Sequence, residues 1–501
     1  MIQIHLMFNR KVENMQKKLN ICMVSDFFYP NTGGVESHIY QLAQCLIKKG
    51  HKVIVITHAY GNRKGIRYLT NGLKVYYMPV WVVYNQCTLP TLFTTFPVIR
   101  FILVREKISI VHGHSAFSAL AHEAMLHAKT MGLEAVFTDH SLFGFADASA
   151  IITNKLLQMT LSVCNHVICV SHTGKENTAL RANVCPNTIS VIPNAVDTTI
   201  FKPDFLPKLK SRITIVVISR LVYRKGIDLL AEVIPQICSR YPDVDFIIGG
   251  DGPKRIVLEE VRERCQLQER VTLLGAVKHE NVRDVLVKGD IYLNASLTEA
   301  FCIAILEAAC CGLQVVSTSV GGVPEVLPPE LVWLTEPTVI GLIKGLERAM
   351  DARINNKVVP KDVAYKKLSK MYKWDDVAFR VEKVYHQVTN EPVNTLSCRL
   401  KKFWLQGYVA GAFFMLLQAI EHLVYLFLSW YIPEDMKLKN EDGAGSDISL
   451  ECPKKKFHLL RLHGPLMVRE QEEDPDLPSS AYFWANKKMW NIWLGGSKIY
   501  C

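Results

Sequence analysis

Arg220 and Lys225 stand five residues apart in SRLVYRKGIDLL, directly behind the apolar run ITIVVIS. A guanidinium offers a planar fork of donors and an ammonium a mobile point charge, so the two together suit a diphosphate. Arg224 between them reads as a solvated loop cation. Glu299 and Glu307 bracket EAFCIAILE. Glu299 is expected in the loop after IYLNAS and Glu307 two turns into the following helix; if that helix starts early, the spacing of eight sets both carboxylates on nearly one face, and carboxylates accept hydrogen bonds from sugar hydroxyls. Charged helix faces are common, but the apolar residues around Glu307 predict that it points somewhere specific. Gly33 and Gly34 open GGVE. Paired glycines let a backbone approach a ligand, and a helix N-terminus favours an anion, although a plain turn fits as well. The pair is neither a Rossmann G-x-G-x-x-G nor a P-loop. His114 in HGHS and Asp139-His140 in TDHS each close an apolar run. Single histidines are more often structural than catalytic, and position at a strand end brings these into consideration for a site. No zinc-type ligand spacing is seen, so no metal is expected. Asp243-Val-Asp245 matches the Asp-x-Asp of metal-dependent sugar transfer, yet it leads into an apolar run and reads as a strand start.

The elements that must position these residues alternate along the chain. ICMVS, KVIVIT, ISIVHGH, AVFTDH and HVICVS read as strands covered on both faces. VESHIYQLAQCLIKKG between the first two has helical spacing and a Gly50 stop. After residues 198–211, a linker containing Pro203 and Pro207, a second series follows: ITIVVIS, VDFIIGG, VTLLG, IYLNAS and LQVVST. Alternating βα units imply parallel, doubly wound sheets. The expected fold class is therefore α/β, two Rossmann-like halves facing a cleft, with chemistry in the loops after the strands. The expected boundaries are a tail 1–19, a first domain 20–205, a second domain 206–390, a basic juxtamembrane linker 391–402, a membrane helix 403–432 and a tail 433–501 of unassigned role.

The 501 residues exceed one domain, and 49% apolar with 21% charged residues is ordinary globular usage, which excludes a wholly disordered or many-span chain. The net charge of +11 is concentrated: residues 351–402 hold 12 Lys/Arg against 6 Asp/Glu. Lying beside an apolar stretch, this excess points to a membrane surface rather than nucleic acid, with Lys366, Lys367, Lys370 and Lys373 as the seat. The 14 cysteines show no Cys-x-x-Cys pairing and read as reduced thiols. Residues 1–20 do not read as a signal peptide.

Residues 403–432 are long enough to span a bilayer. Glu421 costs about 2.5–3.5 kcal/mol at the centre, against roughly 3–7 kcal/mol returned by the Leu, Ile, Phe and Val residues around it. Trp404, Trp430 and Tyr431 flank the run. Arg399, Lys401 and Lys402 ahead of it place the large N-terminal region in the cytosol, weakened by Lys437 and Lys439 behind. Gln418, Glu421 and Tyr425 share one helical face, expected to meet another subunit's span.

GGVE, SRLVYRKGIDLL, GGDGP, LLGAV, EAFCIAILE and TSVGGVPEV resemble, in order, the motifs of retaining GT-B glycosyltransferases of family four, over roughly residues 20–390. FFYPNTGGVESHIYQLAQCL, HGHSAFSALAHEA, TDHSLFGFAD and VIPNAVDTTIF look like the catalytic-subunit family of phosphatidylinositol N-acetylglucosaminyltransferase, in glycosylphosphatidylinositol (GPI) anchor biosynthesis. The resemblance implies transfer of N-acetylglucosamine from UDP-GlcNAc to phosphatidylinositol. It implies no cofactor and no metal, a multi-subunit membrane complex, and a single-pass protein on the cytosolic face of the endoplasmic reticulum. It implies that Arg220 and Lys225 hold the diphosphate, Glu307 the ribose and Glu299 the donor sugar. The backbone of Phe301, Cys302 and Ile303 faces sugar and phosphates, Gly33 and Gly34 close on the distal phosphate, and His140 sits near the transferred sugar. Residues 374–388 cross back to the first domain. An inactive membrane scaffold of this fold, or a related transferase with another sugar or acceptor, is the alternative. No carboxylate is evidently placed as a covalent nucleophile.

Overall fold

The computed structural model describes residues 18–84, 86–91, 93–142, 148–205 and 212–432. The tail 433–501 with Lys437 and Lys439, residues 206–211 of the expected linker and residues 1–17 lie outside the described residues.

Runs that are apolar on successive positions became strands buried on both faces. The first sheet holds β1 (Asn20–Val24), β2 (Lys52–His58), β3 (Gly65–Tyr68), β4 (Lys74–Met78), β7 (Ile110–His114), β8 (Glu134–Asp139), β9 (His166–Cys169) and β10 (Ile189–Val191). Its order is β10-β9-β8-β7-β1-β2-β4-β3, parallel throughout except for β3 against β4. A separate hairpin pairs β5 (Val82–Tyr84) with β6 (Cys87–Thr88). The second sheet holds β11 (Ile213–Ile218), β12 (Val244–Gly249), β13 (Val271–Gly275), β14 (Ile291–Asn294), β15 (Gln314–Thr318) and β16 (Val332–Thr335), all parallel, in the order β13-β12-β11-β14-β15-β16. That is the doubly wound dinucleotide-fold order, whose direction reverses between β11 and β14. The sequence reading missed β3, β4, β5, β6, β10 and β16. Of these, β3, β10 and β16 are edge strands of three or four residues, too short to carry a period of their own.

One buried apolar cluster runs from Ile21 and Leu42 in the first half through Val381 and Tyr385 to Phe301 and Ile305 in the second. The helix Trp374–Val388 makes that continuity. It returns to the first half, packs on the helix Gly34–Lys48, and fixes itself by Glu382 to Lys49 and to His51 Nε2, both at 2.8 Å, and by its Tyr385 hydroxyl to His112 Nδ1 at 2.6 Å.

Two expectations for the C-terminal region need correction. The basic linker is helical from Leu396 to Trp404, capped by the Thr395 hydroxyl, and its Arg399 is buried, donating to the carbonyls of Lys129 and Asn394. The long apolar segment is not one helix from residue 403: the chain turns at Gly407, with φ +125°, and a second helix runs Tyr408–Tyr431. A Cβ at Gly411 would stand 2.3 Å from the Phe403 carbonyl, so glycine there lets the two helices cross closely.

Candidate active site in the interdomain cleft

The loops at the reversal point of the second sheet bring Arg220, Lys225 and Glu299 together. After β11 the chain makes a short turn, Tyr223–Lys225, ended by Gly226 at φ +66°. A side chain at Gly226 would stand 1.9 Å from the Ala295 carbonyl, so only glycine lets this loop lie on the loop after β14. The Leu297 N–H donates to the Arg224 carbonyl at 2.8 Å and stitches the two loops. Lys225 Nζ consequently donates to Glu299 Oε1, which also accepts from the Ser296 hydroxyl at 2.9 Å. Burial works against the Lys225 charge, but Glu299 outweighs it and holds the ammonium above the usual lysine range. Arg220 and Arg224 are exposed.

Glu299 keeps the loop position expected behind IYLNAS, but the helix does not start early, so the two carboxylates share no helical face. Cys302, at φ +67°, breaks the backbone, and the helix begins only at Ile303 and ends at Cys310. Glu299 sits in the loop while Glu307 lies just over one turn in, 3.8 Å from His279 Nε2, and its carboxylate raises the His279 imidazole above its ordinary value. The Phe301 side chain is buried against Tyr372, so its backbone alone can face a ligand. Burial pushes the Cys302 thiol up to about 12. The N-terminus of Ile303–Cys310 carries no side-chain cap, leaving N–H groups aimed at the cleft.

The first half supplies the opposing wall. A Cβ on Gly34 would sit 3.7 Å from Ile303 Cδ1, so the glycine turn faces the Ile303 side chain across the cleft. Glu36, two residues on, was not singled out from sequence. Burial pushes its carboxyl up, and Arg220 of the opposite half pulls it back. His140 follows β8, and two residues later Leu142 lies against Gly321 of the second half. His114 Nδ1 is 3.3 Å from His140 Nε2, and burial holds both imidazoles well below their ordinary value. His38 joins them with its ring centre 4.6 Å from that of His140. Asp139 turns away, accepting from the Ser141 N–H and the Thr178 hydroxyl at 2.9 Å each. Glu325 crosses the cleft, accepting from the N–H groups of His172 and Thr173 at 2.6 and 2.9 Å at the start of the helix His172–Ala182. Among the described residues, Asp243 and Asp245 belong to no metal cluster: Asp245 is held by Arg212 and Arg270, and Asp243 lies largely exposed at a strand start.

The model for glycosyl transferases group 1 matches residues 199–366, and that for GPI anchor biosynthesis matches residues 58–147. A human phosphatidylinositol N-acetylglucosaminyltransferase subunit is 60% identical over 418 residues, 83% of this chain and 86% of the human one. This chain belongs to that family of phosphatidylinositol N-acetylglucosaminyltransferase subunits. The Arabidopsis thaliana member is 54% identical over 83% of this chain and 93% of its own. Among solved structures, sucrose-phosphate synthase of Thermosynechococcus elongatus superposes with a TM-score of 0.61 at 18% identity, covering 74% of this chain and 99% of that one. The Anabaena protein HepE, in complex with UDP and glucose, gives 0.58 at 16%, covering 73% and 99%. These distant likenesses fix the GT-B fold.

In this member of the transferase-subunit family the helix Tyr408–Tyr431 is long and apolar enough to cross a membrane, with mean hydropathy 1.6. Its polar face is taken by its own chain, which corrects the expectation of a partner's span there. Gln418 donates to the Thr130 hydroxyl at 2.5 Å, Glu421 Oε1 lies 3.1 Å from His127 Nδ1, and Arg100 reaches Ser429 and the Ile432 carbonyl. Tyr425 stacks edge-on against Phe96. The opposite face exposes Val409, Phe413, Leu416, Leu423, Phe427 and Trp430. Of the expected lysine seat, Lys366 and Lys367 pair with Asp362 and Glu330.

Proposed function

We propose that this chain transfers N-acetylglucosamine from UDP-GlcNAc to phosphatidylinositol with retention of configuration, the first step of GPI-anchor biosynthesis. One observation carries the reading. Arg220, Lys225 and Glu299 meet at the reversal point of the second sheet, opposite Gly34, in a chain 60% identical to the human transferase subunit.

The departing UDP gains negative charge as the glycosidic bond breaks. Arg220, Lys225 and the uncapped N-terminus of Ile303–Cys310 stabilise that charge in a cleft that excludes water. Glu299 releases Lys225 to the diphosphate and accepts from donor-sugar hydroxyls, Glu307 takes the ribose, and His140 faces the transferred sugar. The inositol hydroxyl attacks from the face the phosphate leaves, and that phosphate takes its proton. Cations do what a divalent ion does in other transferases, so no cofactor is needed. The acceptor is a lipid, and the outer face of Tyr408–Tyr431 supplies a membrane contact. The proposed setting is a multi-subunit complex in the endoplasmic reticulum membrane, single-pass, with the catalytic halves cytosolic.

Microsomes containing this chain, given UDP-GlcNAc labelled in the sugar, should form a labelled lipid that phosphatidylinositol-specific cleavage releases. UDP binding by calorimetry without any transfer would favour the scaffold reading. Transfer from GDP-mannose instead would replace the donor.

A further inference from the structure

His112 uses both ring nitrogens within the protein: Nδ1 with the Tyr385 hydroxyl at 2.6 Å and Nε2 with Thr138 Oγ1 at 2.7 Å. Three neighbours are placed differently. His38 from the helix Gly34–Lys48, His114 at the end of β7 and His140 just past β8 each bring one ring nitrogen into a group whose members all lie within 4.8 Å of one another. His114 Nδ1 and His140 Nε2 are already 3.3 Å apart. Zinc–imidazole bonds of about 2.0–2.1 Å give tetrahedral nitrogen–nitrogen edges of about 3.4 Å. His38 is oriented as a ligand: its Nδ1 lies 2.7 Å from the Asn194 side-chain oxygen, an acceptor, so Nδ1 carries the proton and Nε2 presents its lone pair. That Nε2 is buried without a hydrogen-bond partner. Spacing, orientation by a second residue and a buried polar atom that folding leaves unsatisfied coincide at one point.

We propose that His38, His114 and His140 form a binding site for one divalent transition-metal ion of the zinc class. An all-imidazole set suits Zn²⁺, Cu²⁺ or Ni²⁺ and not the hard cations Mg²⁺ or Ca²⁺, which take oxygen ligands. The nearby carboxylate of Asp139 is committed to Ser141, Thr178 and Arg181 and adds no such oxygen. His140 is the half-buried member, on the cleft side, while His38 and His114 are buried, so the ion's open position faces the cleft. The consequence rests on the transferase reading above: an ion on His140 and a sugar at His140 exclude one another. Zn²⁺ therefore inhibits transfer by competing with the donor sugar, and chelation preserves activity rather than abolishing it.

The test uses the full chain in detergent, stripped with EDTA and dialysed against Zn²⁺, with the bound metal counted by elemental analysis and Co²⁺ as an optical probe. One ion per chain is expected, with the strong visible absorption of tetrahedral Co²⁺. His38→Gln and His114→Gln should each lose it, and His122→Gln, a buried histidine outside the group, should keep it. Circular dichroism and a cooperative thermal melt report whether each variant is folded. On the wild-type chain, Zn²⁺ should also protect His140 from diethyl pyrocarbonate, read by peptide mass. No stoichiometric Zn²⁺ on the wild type, unprotected His140, or folded His38→Gln that still holds the ion overturns the site. Stoichiometric Zn²⁺ without inhibition of transfer keeps the site and overturns the placement of His140 at the sugar.

Discussion

Lys225 and Glu299 occupy one another in the chain without donor, which sets different consequences for their removal. Arg220→Ala removes one exposed cation and should lower turnover about 100-fold with the fold intact, the usual scale for one electrostatic donor. Lys225→Ala removes the same kind of donor and also strands Glu299 in a half-buried loop, so it should lose turnover and thermal stability together. Adding Glu299→Ala to Lys225→Ala should restore the melting temperature but not the turnover. Near-normal transfer in both single variants would remove the diphosphate assignment. His122 makes a separate prediction at this scale. Burial pushes its imidazole down to about 4. The unfolded chain takes a proton there below about pH 6.5. The folded chain refuses it until about pH 4, so the contribution is complete above 6.5 and drains away as pH falls through that window. Asp26, pushed up to about 7 by burial, has the opposite sign, and its contribution falls as pH rises. Subtracting the melts of His122→Gln from wild type isolates His122: the difference should shrink between about pH 7 and 4.5. A difference independent of pH would discard this account.

At the scale of elements, two contacts between distant segments decide geometry. Glu325 reaches the start of the helix His172–Ala182 with two N–H bonds and the Thr173 hydroxyl at 2.7 Å, a carboxylate at a helix N-terminus from the opposite half. Glu325→Ala should open the cleft, with faster amide exchange at His172–Gly174 and a raised KM for donor. Unchanged exchange there would mean that this contact does not hold the halves together. The Glu421 face of Tyr408–Tyr431 lies on His127 and Thr130. Glu421→Leu should therefore lower the melting temperature of the chain itself by an amount set by a stranded buried histidine, about 1–3 kcal/mol. Loss of partner subunits with an unchanged melt would instead point to an intermolecular face.

For the whole molecule, the membrane and the cleft belong to one first half. Contacts from Gln406 with Lys155 to Ile432 with Arg100 run along the C-terminal helix, so its apolar outer face and the cleft's first wall share one body. On the proposed function, a lipid acceptor held at this helix would be brought to the half that carries Gly34 and His140. The proposed function makes a further prediction at this scale: if Arg220, Lys225 and a helix terminus carry the charge of the leaving group, EDTA should leave transfer intact. Full loss on chelation, restored by Mn²⁺, would bring Asp243 and Asp245 back into consideration.

Periodicity and glycine punctuation were enough to read two parallel α/β halves and to put Arg220, Lys225, Glu299 and His140 in loops after strands. Buried parallel strands are apolar on every position, and such runs are visible without partners. The short edge strands were not, since their pairing comes from neighbours distant in sequence. Nor was the late start of the helix behind Glu299, because the left-handed Cys302 that delays it is set by packing and not by residue type. His38 beside His114 and His140 has no local signature either: the three lie on separate elements that only the order of the first sheet brings together. Glu421 shows the same division most plainly. Sequence marked a costly carboxylate in an apolar helix, and tertiary structure decided its surroundings, because the fold of its own chain sets the His127 imidazole 3.1 Å from it and shields it from lipid.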